Sequence, residues 1–107
     1  MTQREILDRK RFDEVTGGDR DLELELADLY LTTAQKYISE MATILERRGD
    51  WSGPAHALKG ASANLGMAQM QEFAKKAEYS EANAELLQEI EQGLQRIRHL
   101  FMEYHES

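Results

Sequence analysis

Cysteine is absent from the 107 residues, and proline occurs only once, at Pro54. The lack of cysteine excludes disulfide bridges and thiolate metal sites, and it fits a reducing compartment. No run of about 18 apolar residues occurs, so the sequence predicts no membrane-spanning helix. The first residues, Met-Thr-Gln-Arg-Glu, are too polar for a secretory signal. We therefore expect a soluble protein of the cytoplasm.

Positive charge is also scarce, because 20 Asp and Glu residues outnumber 13 Lys and Arg residues and the net charge is −7. Proteins that bind nucleic acid carry basic surfaces that displace the counterions of the phosphate backbone. Anionic membrane surfaces attract basic segments for a related electrostatic reason. The sequence therefore predicts neither a nucleic-acid partner nor a membrane partner.

The apolar residues recur mainly at steps of three and four, which indicates an all-α fold. A chain of this length forms one hydrophobic core, so we expect a single domain over residues 1–107. The predicted elements are a short N-terminal helix or turn within 3–12 and four longer helices, near 22–48, 55–67, 70–79 and 84–104. Short connections between long helices favour an antiparallel four-helix bundle. Gly49 is the expected stop of the first long helix.

One stretch, residues 55–67, combines two helix faces. A face of small and medium-sized residues is suited to close helix packing and consists of Ala55, Leu58, Ala61, Ser62 and Leu65. The second face has the same spacing and consists of His56, Lys59, Gly60 and Ala63. Glycine inside a helix costs about 1 kcal/mol relative to alanine. Gly60 therefore suggests that a partner or a neighbouring helix comes close to the backbone there.

The same stretch resembles the signature of histidine phosphotransfer (Hpt) domains, His-x-Leu-Lys-Gly-x-Ser-x-x-x-Gly. The positions that fit this signature are His56, Leu58, Lys59, Gly60, Ser62 and Gly66. The resemblance extends to Leu7-Asp8, to Gly18-Asp19 and to residues 25–30, where Tyr30 replaces a more usual phenylalanine. It implies a helical bundle in which His56 is the phosphoryl-accepting residue of a two-component phosphorelay.

The resemblance also implies the partners and the cofactors. The phosphoryl donor and acceptor are expected to be receiver domains of response regulators and of a hybrid sensor histidine kinase. The receiver is expected to bring Mg²⁺ and most catalytic groups, so the chain needs no cofactor of its own. The sequence contains no Gly-rich phosphate loop and no G-x-x-x-x-G-K-[ST] pattern. We expect a monomeric phosphocarrier and not an enzyme.

The side chains of the second face have the chemistry that a phosphocarrier needs. Neutral imidazole at His56 has the nitrogen lone pair that attacks phosphorus. Lys59, one turn further on, is placed to offset the charge of the added phosphoryl group; the alternative is an ordinary solvated lysine. In Hpt domains a polar residue of the following helix often lies near the imidazole. By this resemblance we assign Glu78 to orient the ring by accepting its N–H, the alternative being a solvated glutamate.

A receiver that reaches His56 must lie over Gly60 and the neighbouring long helix. Residues of these two helices near His56 could form an apolar ring around the site, although some of them are needed for the core. The predicted partner-binding residues are Tyr30, Thr33, Ala34, Tyr37 and Ala63.

Two alternative functions stay open. A helical adaptor would keep the fold and bind partners without phosphate chemistry, which the intact His-Lys-Gly set disfavours. A metal-binding bundle would use His99, Glu103 and His105, but these residues are better interpreted as a solvated helix face, so no metal site is predicted. Met1 and the single-domain length favour a free-standing protein over an excised domain of a hybrid sensor kinase.

Overall fold

The computed structural model describes residues 2–106, and every regular element within that range is a helix. The helices are α1 (Gln3–Ile6), α2 (Arg9–Thr16), α3 (Arg20–Glu46), α4 (Ser52–Leu65), α5 (Ala68–Glu78) and α6 (Ala84–Glu106). This confirms the predicted all-α class. Side chains are described as far as Glu103, so the interpretation of His105 as a solvated residue lies outside the described part.

The N-terminal segment forms two helices, α1 and α2, whereas the sequence predicts one short helix or turn within 3–12. The break comes at Asp8, whose backbone is extended and whose side chain caps α2 by accepting from the Arg11 N–H at 3.2 Å. The Asp8 N–H donates to the carbonyl oxygen of Gly66 at 2.7 Å. Because this N–H is used to dock the segment on the rest of the protein, it cannot continue α1.

The long helix α3 ends at Glu46, two residues before its predicted end. Arg48 adopts a left-handed backbone with φ 56°, and the Gly49 N–H then donates to the Ile44 carbonyl at 3.0 Å. The prediction that Gly49 stops the helix is therefore wrong in its detail, because the left-handed residue is Arg48. A glycine suits position 49 for a different reason, because a Cβ there would lie only 3.2 Å from Cγ2 of Ile44.

The core contains side chains from all six helices. The long helix α3 packs against α4 and α6, and α5 packs against the same two helices, so α4 lies between α3 and α5. At the N-terminal end, the ring of Phe12 packs against that of Phe101 with centroids 5.6 Å apart. One face of α4 is thus fixed by the core, and its opposite face is available for function.

A buried hydrogen bond joins α3 to α4 beneath the exposed face of α4. The hydroxyl of Tyr30 lies 2.7 Å from the hydroxyl of Ser62, and both residues are buried. Burial raises the pKa of the Tyr30 hydroxyl, which keeps the phenol neutral and able to donate. The two hydroxyls satisfy each other in a place that water does not reach.

We expect Ser62→Ala to lower the free energy of unfolding by about 1–3 kcal/mol, because it leaves the Tyr30 hydroxyl buried without a partner. Adding Tyr30→Phe removes that unpaired group, so the double variant is expected to be more stable than Ser62→Ala alone. Urea unfolding measures all of these variants. Equal stability of Ser62→Ala and the wild type would show that the hydroxyl pair contributes nothing.

None of the helices in residues 2–106 has the length and the apolar character that crossing a membrane requires.

Candidate functional site

The helix α4 presents His56 on its exposed face. Pro54 lies in the first turn, where its missing N–H breaks no helical bond. The side chain of His56 is 67% exposed, whereas Leu58 and Ser62 on the opposite face have no exposure. The predicted division of this helix into a packing face and an open face therefore describes its burial.

Glu78 is the last residue of α5, and its carboxylate lies against the open face of α4. One oxygen, Oε1, is 2.6 Å from Nδ1 of His56, and the other, Oε2, is 2.5 Å from Nζ of Lys59. The Glu78 side chain is only 13% exposed, and that of Lys59 is 25% exposed. The structure thus brings together the three side chains that the sequence assigns to the chemistry.

The charges of Glu78 and Lys59 support each other. The hydrogen bond from Lys59 lowers the pKa of the Glu78 carboxyl below its ordinary value of 4.5, and His56 adds to this effect. The same hydrogen bond raises the pKa of Lys59 above 10.5. Because the acid has a lowered pKa and the base a raised one, the pair is fully charged between these two values. It is lost as the pH falls through the pKa of Glu78 or rises through that of Lys59.

The ionised Glu78 determines which nitrogen of His56 carries the proton. A carboxylate only accepts hydrogen bonds, so Nδ1 of the neutral ring must donate to it. The lone pair of the neutral imidazole then lies on Nε2. In this tautomer the exposed ring has Nδ1 bound to Glu78 and presents the lone pair of Nε2 to the outside, which is the arrangement of a nucleophile.

Gly60 lies on the exposed face, one turn after His56. A Cβ placed on Gly60 would meet no atom within 4 Å apart from neighbouring backbone of its own helix. Close packing of a neighbouring helix therefore does not explain this glycine. The space over residue 60 is open to a molecule that approaches from outside.

Two residues of the predicted partner-binding ring are buried, and this part of the prediction is wrong. Tyr30 is 5% exposed and Ala34 is 0% exposed, so neither can contact a partner. The physical reason is their position on the α3 stripe that faces the core, with Ala27 and Ile38 one turn before and after them. Thr33, Tyr37 and Ala63 are half-buried and can still be reached from outside.

Trp51 is a residue near the site to which the sequence assigned no role. It precedes α4, is completely buried, and donates its indole N–H to the Ala77 carbonyl at 2.9 Å and the Ser80 carbonyl at 3.2 Å. The available signal was a single tryptophan five residues before His56. Tyr79, 77% exposed, is a further neighbour of the site, because Nζ of Lys59 lies 5.9 Å from its ring centroid.

A comparison with protein-family models finds a match to the Hpt domain over residues 25–100. This range covers more than half of the chain and includes His56, Lys59, Gly60 and Glu78. The chain belongs to the Hpt domain family. A comparison with curated proteins finds no relative that matches.

Membership of the Hpt family confirms the resemblance that the α4 sequence shows. Hpt domains are phosphocarriers in phosphorelays and interact with receiver domains, so family membership implies this general activity. Within the described residues of this Hpt domain, no three His, Asp or Glu side chains come together as metal ligands.

Proposed function

We propose that this Hpt domain accepts a phosphoryl group on Nε2 of His56 from the aspartyl phosphate of one receiver and passes it to a second receiver. The receivers are those of a hybrid sensor histidine kinase and of response regulators. The observation that carries the proposal is the contact of 2.6 Å between Nδ1 of an exposed histidine and a nearly buried carboxylate. This contact leaves Nε2 as the nucleophile.

The transfer needs little from the chain beyond a held imidazole. The Nε2 lone pair forms a bond to phosphorus as the bond to the receiver aspartate breaks, and that aspartate leaves as a carboxylate. The ring then carries positive charge, with its proton still on Nδ1. Glu78 already accepts a hydrogen bond from Nδ1–H, so it stabilises the positive charge of the ring without moving. The reverse sequence returns the phosphoryl group to a receiver, which supplies the Mg²⁺.

Lys59 acts in this scheme through Glu78. Its ammonium is already bonded to Oε2, so it keeps the carboxylate ionised and fixes its position. Being beside His56, it also offsets part of the charge of the added phosphoryl group. The two effects can be separated by experiment.

We expect Glu78→Gln and Lys59→Ala each to slow phosphoryl transfer roughly ten-fold, the scale of one lost charge-assisted hydrogen bond. If Lys59 acts mainly through Glu78, the double variant is about as slow as Glu78→Gln alone. Rates of label transfer from one phosphorylated receiver give the comparison. If the double variant is slowed by the product of the two single factors, Lys59 acts directly on the phosphoryl group.

The direct test of the function uses a panel of receivers phosphorylated with ³²P in the presence of Mg²⁺. The wild-type chain is expected to take up label that is stable to alkali and labile to acid, as phosphohistidine is. It should then pass the label to a second, unphosphorylated receiver. Binding of receivers without any labelling would overturn the proposal in favour of a helical adaptor.

The open space over Gly60 is where we place the receiver's loops. We expect Gly60→Gln to lower the phosphorylation rate at least ten-fold while keeping the fold, because glutamine favours helix more than glycine does. Gly60→Ala, which adds only a methyl group, is the matched control for bulk. Normal phosphorylation of a folded Gly60→Gln variant would mean that the receiver approaches from another side.

We further propose that α3, α4, α5 and α6 form an antiparallel bundle and that residues 1–107 are one domain. The supporting observations are the closed order of packing among these helices and the short connections 47–51, 66–67 and 79–83. A monomer suits a carrier whose encounters must be brief. We place it in the cytoplasm, where phosphoryl groups are drawn from ATP.

A further inference from the structure

The single tryptophan of the chain connects the beginning of α4 to the end of α5. Trp51 directly precedes α4, and its indole N–H reaches the carbonyl oxygens of Ala77 and Ser80. These two carbonyls lie on either side of Glu78 and Tyr79. The bond therefore spans the short segment from which the Glu78 side chain projects.

The end of a helix is the place where such a bond has most effect. The last carbonyls of α5 have no following turn to bind them, so they need donors from elsewhere. Ala77 also accepts from the Ser80 N–H at 3.1 Å, and the Ser80 hydroxyl donates to Lys76 at 2.6 Å. Trp51 is the donor in this group that comes from outside α5 and the turn after it, from the residue directly before the helix of His56. It therefore fixes the last turn of α5 relative to α4.

We propose that Trp51 is a positioning residue for His56. Its indole N–H donates hydrogen bonds to the carbonyls of Ala77 and Ser80. These bonds fix Glu78 at hydrogen-bonding distance from Nδ1 of His56. The consequence is a proton kept on Nδ1 and a lone pair presented on Nε2. This inference deepens the proposed function and rests on it only where the tautomer of His56 bears on phosphoryl transfer. The position of the proton can be measured without any transfer.

The competing explanation is that Trp51 only fills the core. Its side chain is completely buried, so any smaller residue would leave a cavity and lower stability. Stability alone cannot separate the two roles. The tautomer of His56 can, because filling the core does not determine which ring nitrogen carries the proton.

The experiment replaces tryptophan throughout the chain by benzothienylalanine, in which sulfur takes the place of the indole N–H. Because the chain has one tryptophan, only position 51 changes. Nitrogen-15 spectra then give the tautomer of His56, with the His56→Gln variant identifying its signals. We expect the Nδ1–H form to dominate in the wild type and to lose at least half of its population in the substituted protein. The Tm is expected to fall by about 5 °C.

Two further samples complete the test. Trp51→Phe, which also lacks the N–H, is the second variant and is expected to shift the tautomer in the same direction. Phe12→Leu, at another fully buried aromatic residue, matches the loss of packing and should leave the tautomer unchanged. An unchanged tautomer in the two folded Trp51 samples overturns the inference, and so does an equal shift in Phe12→Leu. A wild-type protein that shows the Nδ1–H form but takes up no phosphate contradicts the proposed function alone.

Discussion

The His56→Gln variant is expected to take up no acid-labile phosphate from any receiver and to keep its full helicity. Glutamine has no nitrogen lone pair able to attack phosphorus, because its amide nitrogen is delocalised into the carbonyl group. The fold should be unaffected, since the His56 side chain is 67% exposed and lies outside the core. Labelling by a phosphorylated receiver, together with circular dichroism, measures both parts of this expectation.

The matched control is His99→Gln, which changes another exposed histidine, on α6. It should take up label at the wild-type rate. Full labelling of His56→Gln would show that the phosphoryl group is bound elsewhere. Loss of label in His99→Gln would point to α6 as part of the acceptor site.

The second large effect is expected from two glycines in and just after α4. We expect Gly66→Ala to lower the free energy of unfolding by about 2–3 kcal/mol and Gly60→Ala to raise it by up to about 1 kcal/mol. Gly66 has a left-handed backbone with φ 78°, and a Cβ there would lie 2.8 Å from the carbonyl oxygen of Asp8. Gly60 lies within the helix, and a Cβ there meets nothing within 4 Å.

The clash at Gly66 also breaks a contact that holds the N-terminal segment. The Asp8 N–H donates to the Gly66 carbonyl, and Nε of Arg11 donates to the Asn64 carbonyl at 3.2 Å. Gly66→Ala should therefore release α2 first, which hydrogen exchange of its amides would detect. Urea unfolding gives the overall stabilities. A change of the same sign in both variants would show that the two glycines do not differ as described.

Much of the site could be predicted because it depends on spacing within one helix. The relation of His56 to Lys59 and Gly60 follows from 3.6 residues per turn. The assignment of Glu78 needed the family resemblance in addition, because nothing in the helix spacing says which residue of α5 faces His56. Only the structure shows that the Glu78 carboxylate contacts Nδ1 of His56.

The parts that sequence reasoning missed have two causes, a repeat within α3 that was not followed far enough and contacts between separate segments of the chain. Tyr30 and Ala34 belong to the core stripe of α3, which repeats through Ala27 and Ile38, and following this repeat further would have separated them from Thr33. The bonds of Trp51 and the split at Asp8 had no comparable signal. Each joins a side chain or an N–H to a backbone carbonyl in another segment, and no residue type marks the carbonyl that will accept such a bond.

The two-residue connection between α4 and α5 has a consequence for how the site forms as the protein folds. His56 and Glu78 are only 22 residues apart, and Trp51 is 26 residues from Ala77. Loops of this size cost less entropy to close than longer loops, and helical proteins dominated by local contacts fold in about microseconds to milliseconds. The contacts that hold the acceptor therefore all lie within residues 51–80, and they close shorter loops than the bond from Asp8 to Gly66 that docks the N-terminal segment.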